Sequence, residues 1–89
     1  MDKYDILNDF RAFLDEWQRN NPLPDSDGTI ASVADRIGLF AEKIKEFNEI
    51  ITQKRNELIN NASDTDKEEI NTIIVSETRD FIVRYYYAE

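Results

Sequence analysis

The sequence contains no cysteine and no histidine. Without cysteine there is no disulfide, no thiolate nucleophile and no thiolate metal ligand. Without histidine the commonest general base and the commonest metal ligand are both missing. Any metal site would therefore be built from oxygen ligands alone. Long apolar runs are also lacking: a stretch such as Ile73-Ile74-Val75 falls far short of a membrane span. The first residues, Met1-Asp2-Lys3-Tyr4-Asp5, have no basic region followed by an apolar one, as a secretory signal would. These absences lead us to expect one soluble, cytoplasmic domain with no membrane contact. No catalytic, cofactor-binding or metal-binding residue is assigned.

Basic residues are in short supply. Eleven Lys and Arg stand against 19 Asp and Glu, for a net charge of −8. The excess is uneven: residues 29–59 balance at five against five, whereas residues 60–89 carry seven acids and three bases. Such a chain is ill suited to contact phosphates directly, so no nucleic acid partner is expected. A partner recognised by charge would be basic. The plainer account is that the charge keeps a small protein soluble.

What is present is helical periodicity. Ile30, Val33, Ile37, Phe40, Ile44, Phe47, Ile51, Lys54 and Leu58 form a 3–4 repeat with a single polar member, Lys54. Only a helix puts those positions on one stripe. It would run from about residue 29 to 60, roughly 45 Å long, with a coiled-coil-like seam. Gly38 is its soft point, costing about 1 kcal/mol relative to alanine, and marks either a kink or the close approach of another helix. Ser32 and Asp35 also resemble a capping pair, at which the helix could restart.

A first helix is read over residues 3–19, with Leu7, Phe10, Leu14 and Trp17 on one stripe and Tyr4 and Phe13 beside it. Residues 20–28 form the loop, which holds both prolines and one of the two glycines. Asp25, Asp27 and Gly28 do not match a calcium loop: the twelfth position counted from Asp25 is Arg36, where that loop needs glutamate. The loop reads as a polar turn with Ser26 or Asp27 as the helix N-cap.

A third helix is read over residues 66–86, with Ile70, Ile73, Ile74, Thr78, Phe81, Ile82 and Tyr85 on one face. Its β-branched content makes a strand a competitor. The 3–4 spacing and an apparent capping box, Thr65-Asp66-Lys67-Glu68, favour the helix. Asp64, Asp66, Glu68 and Glu69 at its start suit the helix dipole.

The fold expected is all-α: a three-helix antiparallel bundle with a long central helix. Short connections would lay the first helix along the N-terminal half of the second, and the third along its C-terminal two thirds. The three would overlap only near Gly38 to Ile44, around Phe10, Phe40, Ile44, Phe81 and Tyr85. The open ends of the central stripe would then be completed by a second copy, so a homodimer is expected, against a compact monomer bent at Gly38.

The residues put forward for interaction are Tyr85, Tyr86, Tyr87, Trp17 and Lys54. Three consecutive tyrosines cannot all face one way on a helix, so at least one ring is exposed and free to anchor a partner. Lys54 would set register or oligomeric state, or extend its amine outward to water. Ser76-Glu77-Thr78-Arg79-Asp80 followed by Ile82, Val83 and Tyr86 resembles the helical-hairpin aspartyl-phosphate phosphatases of sporulation control. Arg79 stands where their signature has leucine, and the resemblance implies Asp80 as the catalytic carboxylate. The leading expectation remains a non-enzymatic protein acting by helix-mediated protein binding. An acidic inhibitor, or nucleic-acid mimic, filling a basic groove on a target protein is the alternative.

Overall fold

The computed structural model describes residues 2–87 and contains three helices: α1, Lys3–Asn20; α2, Ile30–Asn60; and α3, Lys67–Tyr87. No strand occurs among the described residues. The molecule is a rod of 50 × 19 × 19 Å. A helix the length of α2 is about 46 Å long, so α2 sets the long dimension.

Local contacts set both ends of α1 and the starts of α2 and α3. Asp2 caps α1 by accepting the Tyr4 backbone N–H at 3.4 Å. At its other end Asn21 turns back, donating its backbone N–H to Gln18 O and its side-chain Nδ2–H to Trp17 O at 2.9 Å. The N-cap of α2 is Thr29, whose Oγ1 accepts the Ser32 N–H at 3.2 Å. The sequence had pointed to Ser26 or Asp27. Gly28, with φ of +86°, turns the chain and keeps Asp27 outside the helix. Asp27 instead supports the cap: its Oδ1 accepts the Thr29 N–H at 2.9 Å and the Thr29 hydroxyl at 2.7 Å.

Two further expectations are corrected. α2 runs unbroken through Gly38, and nothing lies within 4 Å of where a Cβ would stand there. Within the single chain the glycine marks neither a helix break nor the close approach of another helix, and no restart occurs at Ser32. The capping box at Thr65 does not form either. The Thr65 hydroxyl lies 3.2 Å from Ser63 Oγ, and the N–H groups of Asp66 and Lys67 both donate to Ser63 O. A tight turn with Ser63 as acceptor therefore delivers the chain into α3.

The axial placement of α1 is the largest departure from expectation. α1 covers the C-terminal part of α2, not the N-terminal half. Lys54 Nζ reaches Asp9 Oδ2 at 3.4 Å, Trp17 meets Phe47 with ring centroids 4.8 Å apart, and Lys43 donates to Asn21 Oδ1 at 3.1 Å. The cause is the loop. Residues 21–29 climb back along α2 from the level of Lys43 to that of Ile30, about 20 Å at the helical rise. Nine residues with two prolines, in an extended form, cover that distance easily. α3 runs antiparallel to α2 and parallel to α1. The pairs Lys3–Glu69 and Arg11–Glu77 have the same sequence separation of 66, which fixes the α1–α3 register.

The three helices thus share one core beside the C-terminal two thirds of α2. Ile6, Leu7, Phe10, Leu14 and Trp17 of α1 meet Phe47, Ile51 and Leu58 of α2 and Ile70, Ile74, Phe81 and Tyr85 of α3. Phe40 and Ile44, expected at its centre, are only partly buried. One end is aliphatic and the other aromatic. At the aromatic end Trp17 lies 5.0 Å from Tyr85 and 6.0 Å from Phe81, and Phe47 lies 5.1 Å from Phe81. Edge and tilted contacts of this kind add roughly 0.5–1.5 kcal/mol each to the burial itself. Trp17 is the ring common to most of them. Trp17→Ala should therefore lower stability by about 3–5 kcal/mol, read as a fall in the urea midpoint. An effect below about 1 kcal/mol would mean that the aromatic end does not hold the bundle together.

Candidate interaction surface

Beyond the end of α1, α2 continues with its stripe uncovered. Ile30 is 90% exposed, Ile37 49% and Val33 37%, although they continue the row that buries Phe47, Ile51 and Leu58. Ala31, Ala34, Gly38 and Ala41 are exposed beside them. Over three turns α2 therefore shows water a face of branched aliphatic and small residues. The same face turns polar at Lys45 and Asn48, both exposed.

This projecting segment is held on its opposite side. Arg36 donates to the carbonyl oxygens of Pro24 and of Tyr86, and its guanidinium lies 5.6 Å from the Tyr86 ring. One side chain thus ties α2 to both the loop and the last turn of α3. A cation at a helix C-terminus also offsets the negative end of the α3 dipole. Leu23 packs against the core, and Phe40 contacts Tyr85 and Tyr86 at 5.9 and 5.0 Å. The clamped side and the open side of the segment are different faces of one helix.

The tyrosines differ sharply in exposure. Tyr85 is buried and its hydroxyl donates to Asn21 O at 2.6 Å; burial pushes its phenol pKa upward. Tyr86 is half-buried under Arg36, and Tyr87 is 75% exposed at the end of α3. Trp17 is buried and offers almost no surface. Lys54 is directed within the chain: its ammonium meets Asp9 at 3.4 Å and Glu57 at 3.9 Å and lies 5.7 Å from the Phe13 ring. The sequence led us to expect both ends of the stripe to be partly open; the structure leaves Ile30, Val33 and Ile37 bare at one end and buries Leu58 at the other.

Asp80 lies in an open groove between α1 and α3 with Arg11, Leu14, Asp15, Glu77, Val83 and Arg84. Arg11 Nη2 meets Glu77 Oε1 at 2.7 Å, and Glu77 Oε2 is buried without a hydrogen-bond partner among the described residues. Asp80 itself is exposed. Among the described residues no group of three or more acidic side chains is arranged to hold a metal ion, and no helix is long and apolar enough to cross a membrane. No family model matches the chain, and no match is found among curated proteins or solved structures.

The tip of the projecting segment carries a shifted carboxylate. Hydrogen bonds from the Ser32 hydroxyl, the Thr29 backbone N–H and the Thr29 hydroxyl hold the Asp27 pKa at about 2. The folded value lies below the unfolded one, so its contribution to stability is complete above about pH 4. That contribution is lost as the pH falls through about 2. An NMR titration should place the Asp27 carboxyl midpoint near 2, and Ser32→Ala should raise it toward the ordinary value of about 3.9. An unshifted midpoint in the wild-type chain would show that the cap network does not persist in solution.

Proposed function

We propose that this protein acts by helix-mediated protein binding at the projecting end of α2, as a homodimer, and does not catalyse a reaction of its own. The reading is of a soluble, cytoplasmic chain whose partner is protein. One observation carries it. The apolar stripe of α2 continues for three turns past the last residue that α1 covers, leaving Ile30 90% and Ile37 49% exposed. Burying such side chains is worth about 25 cal/mol per Å² of apolar surface removed from water, and contiguous bare apolar faces mark contact sites.

A second reading has an observation of its own. Glu42, Glu46 and Glu49 cluster on an exposed side of α2 around the single base Lys45, and Asp35 and Glu57 are also exposed along α2. Such an acidic edge suits a protein that fills a basic groove of a target. Binding of that kind weakens steeply with salt, and salt-insensitive binding excludes it.

The first reading is tested by light scattering on a sizing column from about 1 µM to 1 mM, the range in which a small interface associates. The expected result is a mass that rises to that of a dimer. Ile37→Asp should return it to the monomer with an unchanged helical circular dichroism spectrum. Ile37 is half exposed, so the substitution spares the core. A wild-type chain that stays monomeric throughout removes the self-association reading.

A further inference from the structure

Asp27 is the one Asp or Asn in the chain that is followed by glycine. Both residues are exposed in the loop before α2, and nothing lies within 4 Å of where a Cβ would stand on Gly28. A glycine amide nitrogen has no side chain to screen it, so it can reach the carboxyl carbon of the aspartate before it. In the folded chain that carboxylate is held elsewhere. Its Oδ1 accepts the Thr29 N–H at 2.9 Å, the Thr29 hydroxyl at 2.7 Å and the Ser32 hydroxyl at 2.6 Å. The Gly28 N–H is engaged too, donating to Ser26 Oγ at 3.2 Å. The two groups that would react are each turned to a different partner.

We propose that the Asp27–Gly28 bond is the chain's site of isoaspartate formation, and that the hydrogen bonds at the start of α2 hold the reaction in check. The Gly28 backbone nitrogen attacks Asp27 Cγ and a new C–N bond closes a five-membered succinimide. The carboxyl hydroxyl and the amide proton leave together as water. Solvent water then adds to a ring carbonyl. Opening at Cγ restores aspartate, whereas opening at the Asp27 main-chain carbonyl breaks the original peptide bond and leaves Gly28 joined through the side chain. Loss of water needs the acid form of the carboxyl. With the Asp27 pKa at about 2, that form is about 80-fold scarcer at neutral pH than in an ordinary aspartate. Ring closure therefore waits on a local opening of the cap. The product has one more main-chain carbon, which displaces the carboxylate from Thr29 and Ser32. Thr29 Oγ1 both donates to Asp27 and accepts the Ser32 N–H, so the N-cap of α2 loses its support. The first turns of α2 then fray, while the core around Phe47, Ile51 and Leu58 is untouched.

The full chain is incubated near neutral pH, both folded and unfolded in guanidinium chloride. Because the conversion leaves the mass unchanged, the loop peptide is mapped by chromatography with electron-transfer fragmentation. Isoaspartate at position 27 should accumulate in the unfolded chain, and about 10-fold or more slowly in the folded one. In the folded chain Ser32→Ala, which removes the shortest of the three bonds to Oδ1, should speed the conversion about 10-fold, the change in acid fraction that one pKa unit brings. Ser32 lies outside the core, so the variant keeps its fold, as circular dichroism checks. Asp27→Glu should end the conversion, because its ring would be one atom larger and closes slowly. Conversion that persists in Asp27→Glu would move the site to Asp25 and overturn the proposal. No isoaspartate at position 27 in the unfolded chain would overturn it outright. Equal rates in folded and unfolded chains, or in wild type and Ser32→Ala, would show that the hydrogen bonds hold nothing back. The converted chain, separated from its parent, should exchange its amides faster from Ile30 to Arg36 and at an unchanged rate around Phe47 and Ile51. Identical exchange in the two forms would remove the consequence for α2.

Discussion

A helix of 31 residues cannot be covered along its whole length by neighbours of 18 and 21 residues that share one core. That mismatch is the constraint on which the rest of this structure depends. The chain could centre the two shorter helices on the long one, stagger them at opposite ends, or gather them at one end. Gathering them lets Trp17, Phe47, Phe81 and Tyr85 close into one aromatic cluster, and completes a three-sided core from Ile6 to Tyr85. The stagger would have left two thinner, two-helix regions. Burial of apolar surface in one place is the stronger arrangement, because side chains covered from three sides lose more water contact than side chains covered from two. The cost is concentrated at the free end of α2.

The loop makes this arrangement attainable. A tight connection would have held the end of α1 beside the start of α2. The nine residues between the helices instead run back along α2, anchored by Leu23 against the core and by the Pro24 carbonyl on Arg36. The same arginine takes the Tyr86 carbonyl, so the loop, α2 and the C-terminal turn of α3 meet at one side chain. The exposed segment is therefore supported on one side even though its apolar face is open. A presented face needs such support, because an interface built on a wavering helix loses affinity to the cost of ordering it.

The three helices were legible in the sequence because a 3–4 repeat reports which face of a helix is apolar. It says nothing about where along its axis a neighbour docks, and that is where the sequence reading failed. The offset is set by cross-helix matches such as Asp9 with Lys54 and Trp17 with Phe47, which no single helix's pattern contains. Lys54 reads as an intrusion in its own stripe and becomes intelligible only beside Asp9 and the Phe13 ring. The caps failed for a related reason. Asp27, Thr29, Ser63 and Thr65 are all competent capping residues, and the choice among them was made by the φ of Gly28 and by a turn of three residues before Lys67. Of the tyrosines, the sequence required that they not all face inward, but their order of burial followed from how α3 meets Phe40 and Arg36.

The uneven cover along α2 means that one continuous helix contains two mechanical regimes. Amides near Phe47, Ile51 and Leu58 open only when the core does, because all three helices pack over them. Amides near Ile30 to Ile37 are shielded by little beyond the helix's own hydrogen bonds, the Thr29 cap and the Arg36 contacts. Their opening is a local event governed by fraying, with a free energy well below that of global unfolding. Opening of these turns breaks the Thr29 cap and the Arg36 contacts but not the core, so it costs less than unfolding the bundle beneath.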